Sequence, residues 1–268
     1  MVSDTIGNLY MTTLFISDLH LHSTRPETSK LFLNFLNTKA KTANALYILG
    51  DFFEAWIGED NYNIHDNTII QGLTEFSKTG IPLFFMQGNR DFLINHIFAK
   101  KIKCTLLPDP YLLEIEGQRI LLMHGDLLCT KDIGYQWFRK FVRHPIIKRV
   151  FLNLPLFLRR KIAGTLRMTS SRPKQKDLKK PNEPLKSPLK NSSHEKYDVT
   201  QQAVHHYLQT YQADCLIHGH THREGIHQFE LNGVSKKRFV LGDWEETGSV
   251  LVFNKNTIYL EKVVCTTT

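Results

Sequence analysis

The sequence predicts a mixed α/β fold in which two packed β-sheets are flanked by helices, with a helical lid insertion. Apolar strand-like runs alternate with helical stretches through the first hundred residues. After Pro108 the apolar runs come in pairs separated by turn residues, which is typical of antiparallel hairpins. A Lys-, Arg- and Pro-rich stretch covers residues 131–194. We therefore expect one domain over residues 11–268, interrupted by this insertion.

The N-terminal third predicts parallel βαβ units. Strands are predicted at Thr12–Ile16, Ala45–Leu49 and Ile81–Met86, where apolar residues follow one another without polar alternation. Such runs are typical of strands that are buried on both faces. Helices are predicted around Leu31–Leu36 and Thr68–Lys78, where apolar residues recur at helical spacing. Because strands and helices alternate, we expect a largely parallel sheet.

Three hairpins are predicted for the rest of the chain. The tripeptide Glu-Gly-Gln joins the strands of the first hairpin, and Asn232-Gly233 lies between those of the second. The predicted pairs are Tyr111–Glu116 with Arg119–Met123, Ile226–Leu231 with Arg238–Leu241, and Ser249–Phe253 with Thr257–Glu261. Antiparallel hairpins added to parallel units predict two sheets.

The insertion is predicted to begin with helices and to end in a loop. Residues 131–170, called the lid below, contain the amphipathic stretches Tyr135–Val142 and Ile146–Leu166, interrupted at Pro145 and Pro155. Residues 171–194 are rich in Lys and Pro and contain few apolar residues. This composition predicts a flexible or disordered loop, for which the simplest interpretation is a solvated surface segment.

The positive charge of the chain is concentrated in this insertion. The net charge of the 268 residues is +8, yet the stretch from Arg139 to Lys190 has 16 Lys and Arg against two acids. Its net charge of +14 leaves −6 for the remaining residues. Large apolar side chains such as Phe138 and Phe141 lie between the charges of the lid. This mixture is typical of a surface that faces anionic lipid.

The compartment is predicted from features that the sequence lacks. The N-terminus has no basic region followed by an apolar one, as a signal peptide would. No stretch approaches the roughly 18 to 20 apolar residues of a membrane-spanning helix. The four cysteines have neither disulfide-framework nor zinc-site spacing. We expect a cytoplasmic protein that contacts a membrane from that side.

Five short polar motifs follow apolar runs. They are Asp18-Leu-His20, Gly50-Asp51, Gly88-Asn89-Arg90-Asp91, His124-Gly125-Asp126 and Gly219-His220-Thr221-His222. Each comes at the end of a predicted strand or in the turn after it, and ligands bind at this edge of α/β sheets. One such motif alone is more often a turn, a helix cap or a hydrogen-bonded histidine. Capping does not explain five of them together.

The residue types in these motifs predict a metal site. Asp18 and His20 are two positions apart, as are His220 and His222, so in extended backbone each pair would project to one side. Carboxylate, imidazole and amide groups suit Mn²⁺, Fe²⁺, Co²⁺ or Zn²⁺. Seven ligands are too many for one ion but suit two ions that share a carboxylate. Asp51 is the natural bridge.

Taken together, the motifs resemble the signature of the calcineurin-like metallophosphoesterase superfamily over nearly the whole chain except the insertion. Their flanking residues are similar to those of the bacterial UDP-2,3-diacylglucosamine diphosphatase family of lipid A biosynthesis. The similar segments are residues 14–21, 45–58, 88–93, 123–130 and 217–223. The resemblance implies an αββα sandwich with a helical lid and two Mn²⁺ (manganese) ions per chain.

The resemblance also implies which residues hold the two ions. The ligands of the first ion would be Asp18, His20, Asp51 and His222. Those of the second ion would be Asp51, Asn89, His124 and His220. His218 precedes the last motif but matches no ligand, and we expect it to be a structural neighbour.

The implied reaction is hydrolysis of the diphosphate bond of UDP-2,3-diacylglucosamine. Water would attack the α-phosphorus, giving UMP and 2,3-diacylglucosamine 1-phosphate (lipid X), while two ions activate the water and neutralise phosphoryl oxygens. The catalytic residues would be Asp51, Asn89, Arg90 and His124. Arg90 stands where many phosphomonoesterases of the superfamily have a proton-donating histidine. A guanidinium stays protonated, but it suits bidentate binding of a diphosphate.

Substrate contacts are implied on both the core and the lid. The residues are Asn89, Arg90, Asp132, Tyr135, Arg167, Ser170, Lys174 and His220. Asp132 and Tyr135 fall near the nucleotide or glucosamine, and Arg167 and Ser170 on the lid. The chain after Ser170 is longer than the family pattern, and Lys174 lies in this longer part. We expect a peripheral location on the cytoplasmic side of a Gram-negative inner membrane, with neither a nucleic-acid nor an obligate protein partner.

Two other functions are compatible with part of the pattern. A metal-dependent phosphodiesterase or nuclease of the same superfamily would use the same ligands, and a basic face attracts nucleic acid. The insertion, however, lacks a regular series of aromatic residues for base stacking. A non-catalytic protein-binding scaffold would be expected to have lost ligands, whereas all seven are present.

Overall fold

A computed structural model describes residues 12–61, 63–170, 198–255 and 257–264, and of residues 167–170 it describes the backbone only. Two β-sheets carry most of the apolar core. The six-stranded sheet has the order β11-β10-β1-β2-β3-β4, and the five-stranded sheet has the order β5-β6-β7-β9-β8. The predicted fold class, two packed sheets flanked by helices, is confirmed.

The six-stranded sheet combines parallel and antiparallel strands. Strands β1 to β4 pair in parallel, and β10 pairs antiparallel with both β1 and β11. The strands are β1 (Thr13–Ile16), β2 (Ala45–Leu49), β3 (Leu83–Met86), β4 (Thr105–Leu107), β10 (Gly248–Asn254) and β11 (Thr257–Val263). The connecting helices are α1 (Pro26–Asn37), α2 (Ile64–Ser77) and α3 (His96–Ile102).

The five-stranded sheet brings the ends of β6 and β7 beside the six-stranded sheet. Strands β6, β7 and β9 pair in parallel, and β5 and β8 are the antiparallel edges. The strands are β5 (Tyr111–Ile115), β6 (Gln118–Met123), β7 (Cys215–His218), β8 (Gly225–Leu231) and β9 (Val234–Val240). Helix α7 (Gln201–Thr210) packs on this sheet, since Val204 and Leu208 lie in one buried cluster with Leu121 and Leu216.

The core has three apolar layers, because successive residues of a buried strand point to opposite faces. In β1, Leu14 and Ile16 join the cluster under α1 to α3, whereas Phe15 joins a cluster between the sheets. Ile120 and Leu122 of β6 point into the same middle layer, and Leu121 points toward α7. This is a helix–sheet–sheet–helix sandwich.

Several predicted boundaries differ from the structure, and two of them have a clear local cause. The strand predicted at Arg238 begins at Val234, because Asn232 and Gly233 both have positive φ and form a two-residue turn, so that Leu231 pairs directly with Val234. The helix predicted from Thr68 begins at Ile64, where the side chain of Asn63 caps it. Helices α3 and α7 and strand β4 were not predicted, and β7 was predicted only as the strand before the motif that begins at Gly219.

The lid forms three helices, as its proline positions predict. They are α4 (Ile133–Val142), α5 (Pro145–Leu152) and α6 (Leu156–Ser170). Pro145 takes the first helical position of α5, where its missing N–H costs no hydrogen bond. The predicted loop at residues 171–194 lies outside the described residues. Within the described part of the chain, no helix has the length and apolarity needed to cross a bilayer.

Candidate metal centre

All seven predicted ligands follow strand ends, and the structure brings them together in two groups. Strands β1, β2 and β3 of one sheet and β6 and β7 of the other end at the same edge of the sandwich. In the first group, ligand atoms of Asp18, His20 and His222 lie within 4.8 Å of one another. In the second group, the same limit holds for Asp51, His124 and His220.

The first group is centred on the carboxylate of Asp18. The Nε2 atom of His222 lies 3.4 Å from Asp18 Oδ1, and that of His20 lies 3.9 Å from the same oxygen. The two imidazole Nε2 atoms are 3.2 Å apart. Asp18 Oδ1 is buried, and among the described residues it accepts no hydrogen bond. A buried carboxylate oxygen between two histidines fits a cation ligand.

The second group adds the amide oxygen that was predicted. Asn89 Oδ1 lies 2.9 Å from His124 Nε2 and 2.8 Å from His220 Nδ1. The two histidine nitrogens are 3.3 Å apart. An oxygen and two imidazole nitrogens that converge in this way form a donor set for a divalent ion of the Mn²⁺ to Zn²⁺ series.

Asp51 lies between the two groups and faces both. Its Oδ2 atom is 3.8 Å from His20 Nε2, and its Oδ1 atom is 3.6 Å from His124 Nε2. Oδ1 also accepts a hydrogen bond of 2.8 Å from the backbone N–H of Arg90. One carboxylate oxygen is therefore presented to each group, an arrangement that suits a ligand shared by two ions.

The backbone at the ligands corrects one premise of the sequence analysis. The D-x-H and H-x-H spacings were interpreted as extended backbone, yet five of the seven predicted ligands have left-handed φ angles. They are Asp18 at 58°, His20 at 48°, Asp51 at 50°, His220 at 69° and His222 at 58°. Non-glycine residues in this region cost energy and cluster at functional sites. His220 and His222 belong to different groups and do not project to one side, whereas Asp18 and His20 share the first group.

Glycines before the ligands allow the strand ends to approach closely. Gly50 has a φ of +89°, and a Cβ placed on it would lie 2.6 Å from the Gly88 backbone and 2.7 Å from His124 Nδ1. A Cβ on Gly88 would lie 2.2 Å from the backbone nitrogen of Asp51. These two positions therefore require glycine, because side chains would push β2, β3 and β6 apart.

Carboxylates behind the histidines were missed by the sequence analysis. Glu54 Oε2 lies 3.2 Å from His20 Nδ1, and Asp243 Oδ2 lies 3.3 Å from His222 Nδ1. Carboxylates in this position orient histidine ligands and raise their basicity. Glu54 stands three residues after Asp51, within the segment 45–58 that is similar to the diphosphatase family. Its closeness to a predicted ligand in the sequence is a signal that could have identified it. Asp243 lies outside the motifs and the similar segments, so the sequence around it does not indicate this role.

Buried charges around the groups shift their pKa values. Burial would lower the pKa of His222, but contacts with Asp18 and Asp243 raise it to about 10. Burial would raise the pKa of Asp18, but the neighbouring histidines lower it below its usual range. Burial and the charge of Asp51 raise the pKa of Asp91 to about 6, and this carboxylate braces the loop by accepting the N–H groups of Phe52 and Gly88.

His218 differs from the predicted ligands. Burial and the charge of Arg238 lower its pKa to about 3, so that it is neutral at pH 7. Its Nδ1 atom lies 2.8 Å from the carbonyl oxygen of Gly219, and it belongs to neither group. These contacts agree with the expected structural role.

The predicted substrate-binding residues lie partly beside the two groups of predicted metal ligands and partly on the lid. Arg90 is partly exposed, with its Nη1 atom 3.9 Å from Glu54 Oε1. The ring of Tyr135 stacks on that of His220 at a centroid distance of 6.4 Å. Asp132 caps α4 by accepting the N–H of Tyr135. Arg167 and Ser170 lie in the last turn of α6 without described side chains, and Lys174 lies outside the described residues.

Four cations of the lid face the protein core. Arg143 donates to the carbonyl oxygen of Gly88 at 2.8 Å, and Lys148 donates to that of Phe92 at 2.7 Å. Arg159 is buried and donates to the carbonyl of Ile57 at 2.7 Å and to Asp60. Arg139 donates to two buried aspartates. These bonds attach the lid to the core.

A family model described as calcineurin-like phosphoesterase matches residues 11–224. The chain belongs to this family. The UDP-2,3-diacylglucosamine hydrolase of Ectopseudomonas mendocina is 43% identical over 238 residues, which cover 89% of this chain and 92% of that protein. The superfamily resemblance that the five motifs indicated is confirmed, and the chain is a metallophosphoesterase.

Two further relatives cover the chain to a similar extent. The UDP-2,3-diacylglucosamine hydrolase of Pseudomonas aeruginosa is 41% identical over 92% of this chain and 96% of its own length. The hydrolase of the same name from Vibrio atlanticus is 41% identical over 94% of this chain and 97% of its own length. The similarity therefore includes the lid as well as the sheets.

Proposed function

We propose that this metallophosphoesterase hydrolyses the diphosphate bond of UDP-2,3-diacylglucosamine in lipid A biosynthesis, giving UMP and lipid X. The position of Asp51, with one oxygen toward each ligand group, carries the proposal of a dinuclear reaction. The names of relatives that are similar over nine tenths of the chain support the substrate. Two Mn²⁺ ions bound there would activate water and neutralise phosphoryl oxygens.

The residues of the chain have separate tasks in this proposal. Asp51, Asn89 and His124 would hold the ions, which would bind the phosphoryl oxygens next to the reacting phosphorus. Arg90 binds the diphosphate, because its permanently charged guanidinium can donate two parallel hydrogen bonds to phosphoryl oxygens. The backbone N–H of Arg90 is already bonded to Asp51, which fixes where its side chain begins. Tyr135 offers its ring to the substrate, since its hydroxyl is bonded to Asp126 at 2.6 Å.

The outward face of the lid supports a peripheral location on the cytoplasmic side of the inner membrane. Ile133, Trp137 and Phe141 follow one another at four-residue spacing along α4 and are 67%, 70% and 60% exposed. Ile146 of α5 and Phe157 of α6 are also mostly exposed. Apolar residues that alternate with Lys and Arg suit the interface of an anionic bilayer. An acylated substrate resides in such a bilayer.

The decisive experiment is an assay of purified protein with UDP-2,3-diacylglucosamine and Mn²⁺ in detergent, followed by phosphorus NMR. We expect UMP and a sugar 1-phosphate as the two products. Carrying out the reaction in ¹⁸O-labelled water should place the label in UMP, because attack is at the α-phosphorus. Absence of UMP, or cleavage of UDP-glucose at an equal rate, would overturn the lipid substrate.

A further inference from the structure

Helix α4 of the lid has a polar inner face as well as its apolar outer face. Tyr135, Arg139 and Arg143 follow one another at four-residue spacing, so they lie on one side of the helix. Each of them bonds to the core beside a predicted metal ligand. Arg143 reaches Gly88, which precedes Asn89, and Tyr135 reaches Asp126, two residues after His124.

Arg139 makes the central contacts of this face. Its Nε atom donates to Asp126 Oδ2 at 2.7 Å, and its Nη2 atom donates to Asp109 Oδ2 at 2.9 Å. The other oxygen of Asp109 accepts the backbone N–H of His124 at 3.3 Å. Asp126 also accepts the hydroxyl of Tyr135. The guanidinium of Arg139 therefore links α4 to Asp126, which lies two residues after His124, and to Asp109, which binds the backbone of His124.

The burial of these groups makes the contact strong. The Asp126 and Asp109 carboxylate groups are 0% and 4% exposed, and the side chain of Arg139 is 13% exposed. Two neighbouring buried carboxylates repel each other and need a cation between them. A guanidinium can donate to both at once through its fork, whereas an ammonium is a single point charge.

We propose that Arg139 is a positioning residue that clamps α4 over the second ligand group. The clamp holds the ring of Tyr135 on His220 and keeps the inner face of α4 against the strand ends that carry Asn89 and His124. Its effect on catalysis rests on the proposed function, because only a substrate that extends to the lid senses where α4 lies. A small phosphodiester reaches the ligand groups without contacting the lid.

The test compares Arg139→Met with Lys140→Met. Lys140 is the adjacent cation of α4, is exposed and lies over the ring of Trp137. Both variants remove one positive charge from the lid, but only Arg139→Met removes the clamp. For Arg139→Met we expect kcat/KM toward UDP-2,3-diacylglucosamine to fall about 10- to 100-fold, the range that corresponds to a charged hydrogen bond. Turnover of bis(4-nitrophenyl) phosphate should stay unchanged, and Lys140→Met should behave as the wild type.

A second variant covers the case in which Arg139→Met does not fold. Arg139→Lys keeps the charge between the two carboxylates but cannot donate to both as a fork, so a smaller loss of the same selectivity is expected. Equal losses on both substrates would indicate general destabilisation and overturn the proposal. Wild-type kcat/KM toward the lipid substrate in Arg139→Lys would overturn it as well.

Amide hydrogen exchange separates this inference from the proposed function. Exchange in α4 should be faster in Arg139→Lys than in the wild type and unchanged in Lys140→Met. If the wild type does not cleave UDP-2,3-diacylglucosamine, the proposed function fails, and exchange in α4 still decides whether Arg139 clamps the helix. Unchanged exchange in α4 would overturn the clamp whatever the substrate.

Discussion

At the scale of single residues, the candidate metal centre depends most on a carboxylate that faces both groups of predicted ligands. Asp51 Oδ2 is 3.8 Å from His20 and Oδ1 is 3.6 Å from His124. The other predicted ligands belong to one group each. Removing Asp51 therefore affects both groups, whereas removing any other ligand weakens one.

Asp51→Ala should lower kcat by more than the roughly 10- to 100-fold that is typical of groups behind a ligand. The reason is that both ions lose an oxygen and the bridge between them. The measurement is turnover of the lipid substrate, together with the number of Mn²⁺ ions bound per chain. Asp214→Ala is a suitable control, because Asp214 is an exposed carboxylate that contacts Lys236. Retained turnover in Asp51→Ala would contradict the bridging role.

The pKa of His222 predicts that metal binding depends on pH. Since Asp18 and Asp243 raise this pKa to about 10, His222 carries a proton at pH 7 in the metal-free protein. A metal ligand must be neutral, so binding releases that proton, and Mn²⁺ affinity should rise up to about tenfold per pH unit below pH 10.

Calorimetry of Mn²⁺ binding in two buffers of different ionisation enthalpy measures this release. We expect at least one proton per chain at pH 7, and fewer in Asp243→Asn, where one of the two carboxylates that raise the pKa is lost. Identical heats in both buffers would rule out the protonated histidine.

At the scale of elements, the two faces of α4 have different surroundings. The inner face bonds to the protein core, and the outer face is exposed. The amphipathic pattern of residues 135–142 predicted a helix with cations beside apolar residues, and that prediction is confirmed. The sequence analysis assigned the cations of the lid to anionic lipid. In the structure, four of these cations donate hydrogen bonds to the core, namely Arg139, Arg143, Lys148 and Arg159. Among the lid residues whose side chains the structure describes, the outward ones remain accessible to a membrane.

Replacing Trp137 and Phe141 together by Ser should weaken binding to anionic lipid vesicles at least tenfold. The estimate follows from about 1.5 to 3 kcal/mol for each large apolar side chain that is buried. Turnover in detergent should be little changed, because the inner face of α4 is untouched. Vesicle sedimentation measures the binding. Ile64→Ser with Ile226→Ser removes two exposed apolar side chains outside the lid and should bind as the wild type.

At the scale of the whole molecule, the site lies where the strand ends of two sheets meet. Asp18, Asp51 and Asn89 come from the six-stranded sheet, and His124, His220 and His222 come from the five-stranded one. Ions held by residues from both sheets would connect the two halves of the sandwich at this edge. Metal binding should therefore stabilise the fold as a unit.

Mn²⁺ at about 100 times its dissociation constant should stabilise the folded protein by about 2.7 kcal/mol per site. For a chain of this size, that corresponds to a rise in Tm of roughly 5 to 10 °C per site. Differential scanning fluorimetry with Mn²⁺ and with EDTA measures the shift. Asp51→Ala should lose most of it. An equal Tm under both conditions would show that the folded state has no preference for the ions.

The sequence by itself predicted most of the strands, the polar residues that follow them and the family. Apolar runs identify buried strands, and polar residues directly after them, such as Asp51 and His124, must lie at the sheet edge. These are local properties of the chain. Strand β4 could not be predicted, because its three residues carry too little periodicity.

Only the tertiary structure decided how the backbone turns at the predicted histidine ligands and which carboxylates stand behind them. Left-handed backbone at His220 and His222 turns neighbouring side chains in different directions. Asp243 approaches His222, and Asp109 and Asp126 approach Arg139, only after the sheets and the lid have packed. The reason is physical: burial and the pairing of charges depend on residues that are distant in sequence, and no local pattern contains that information.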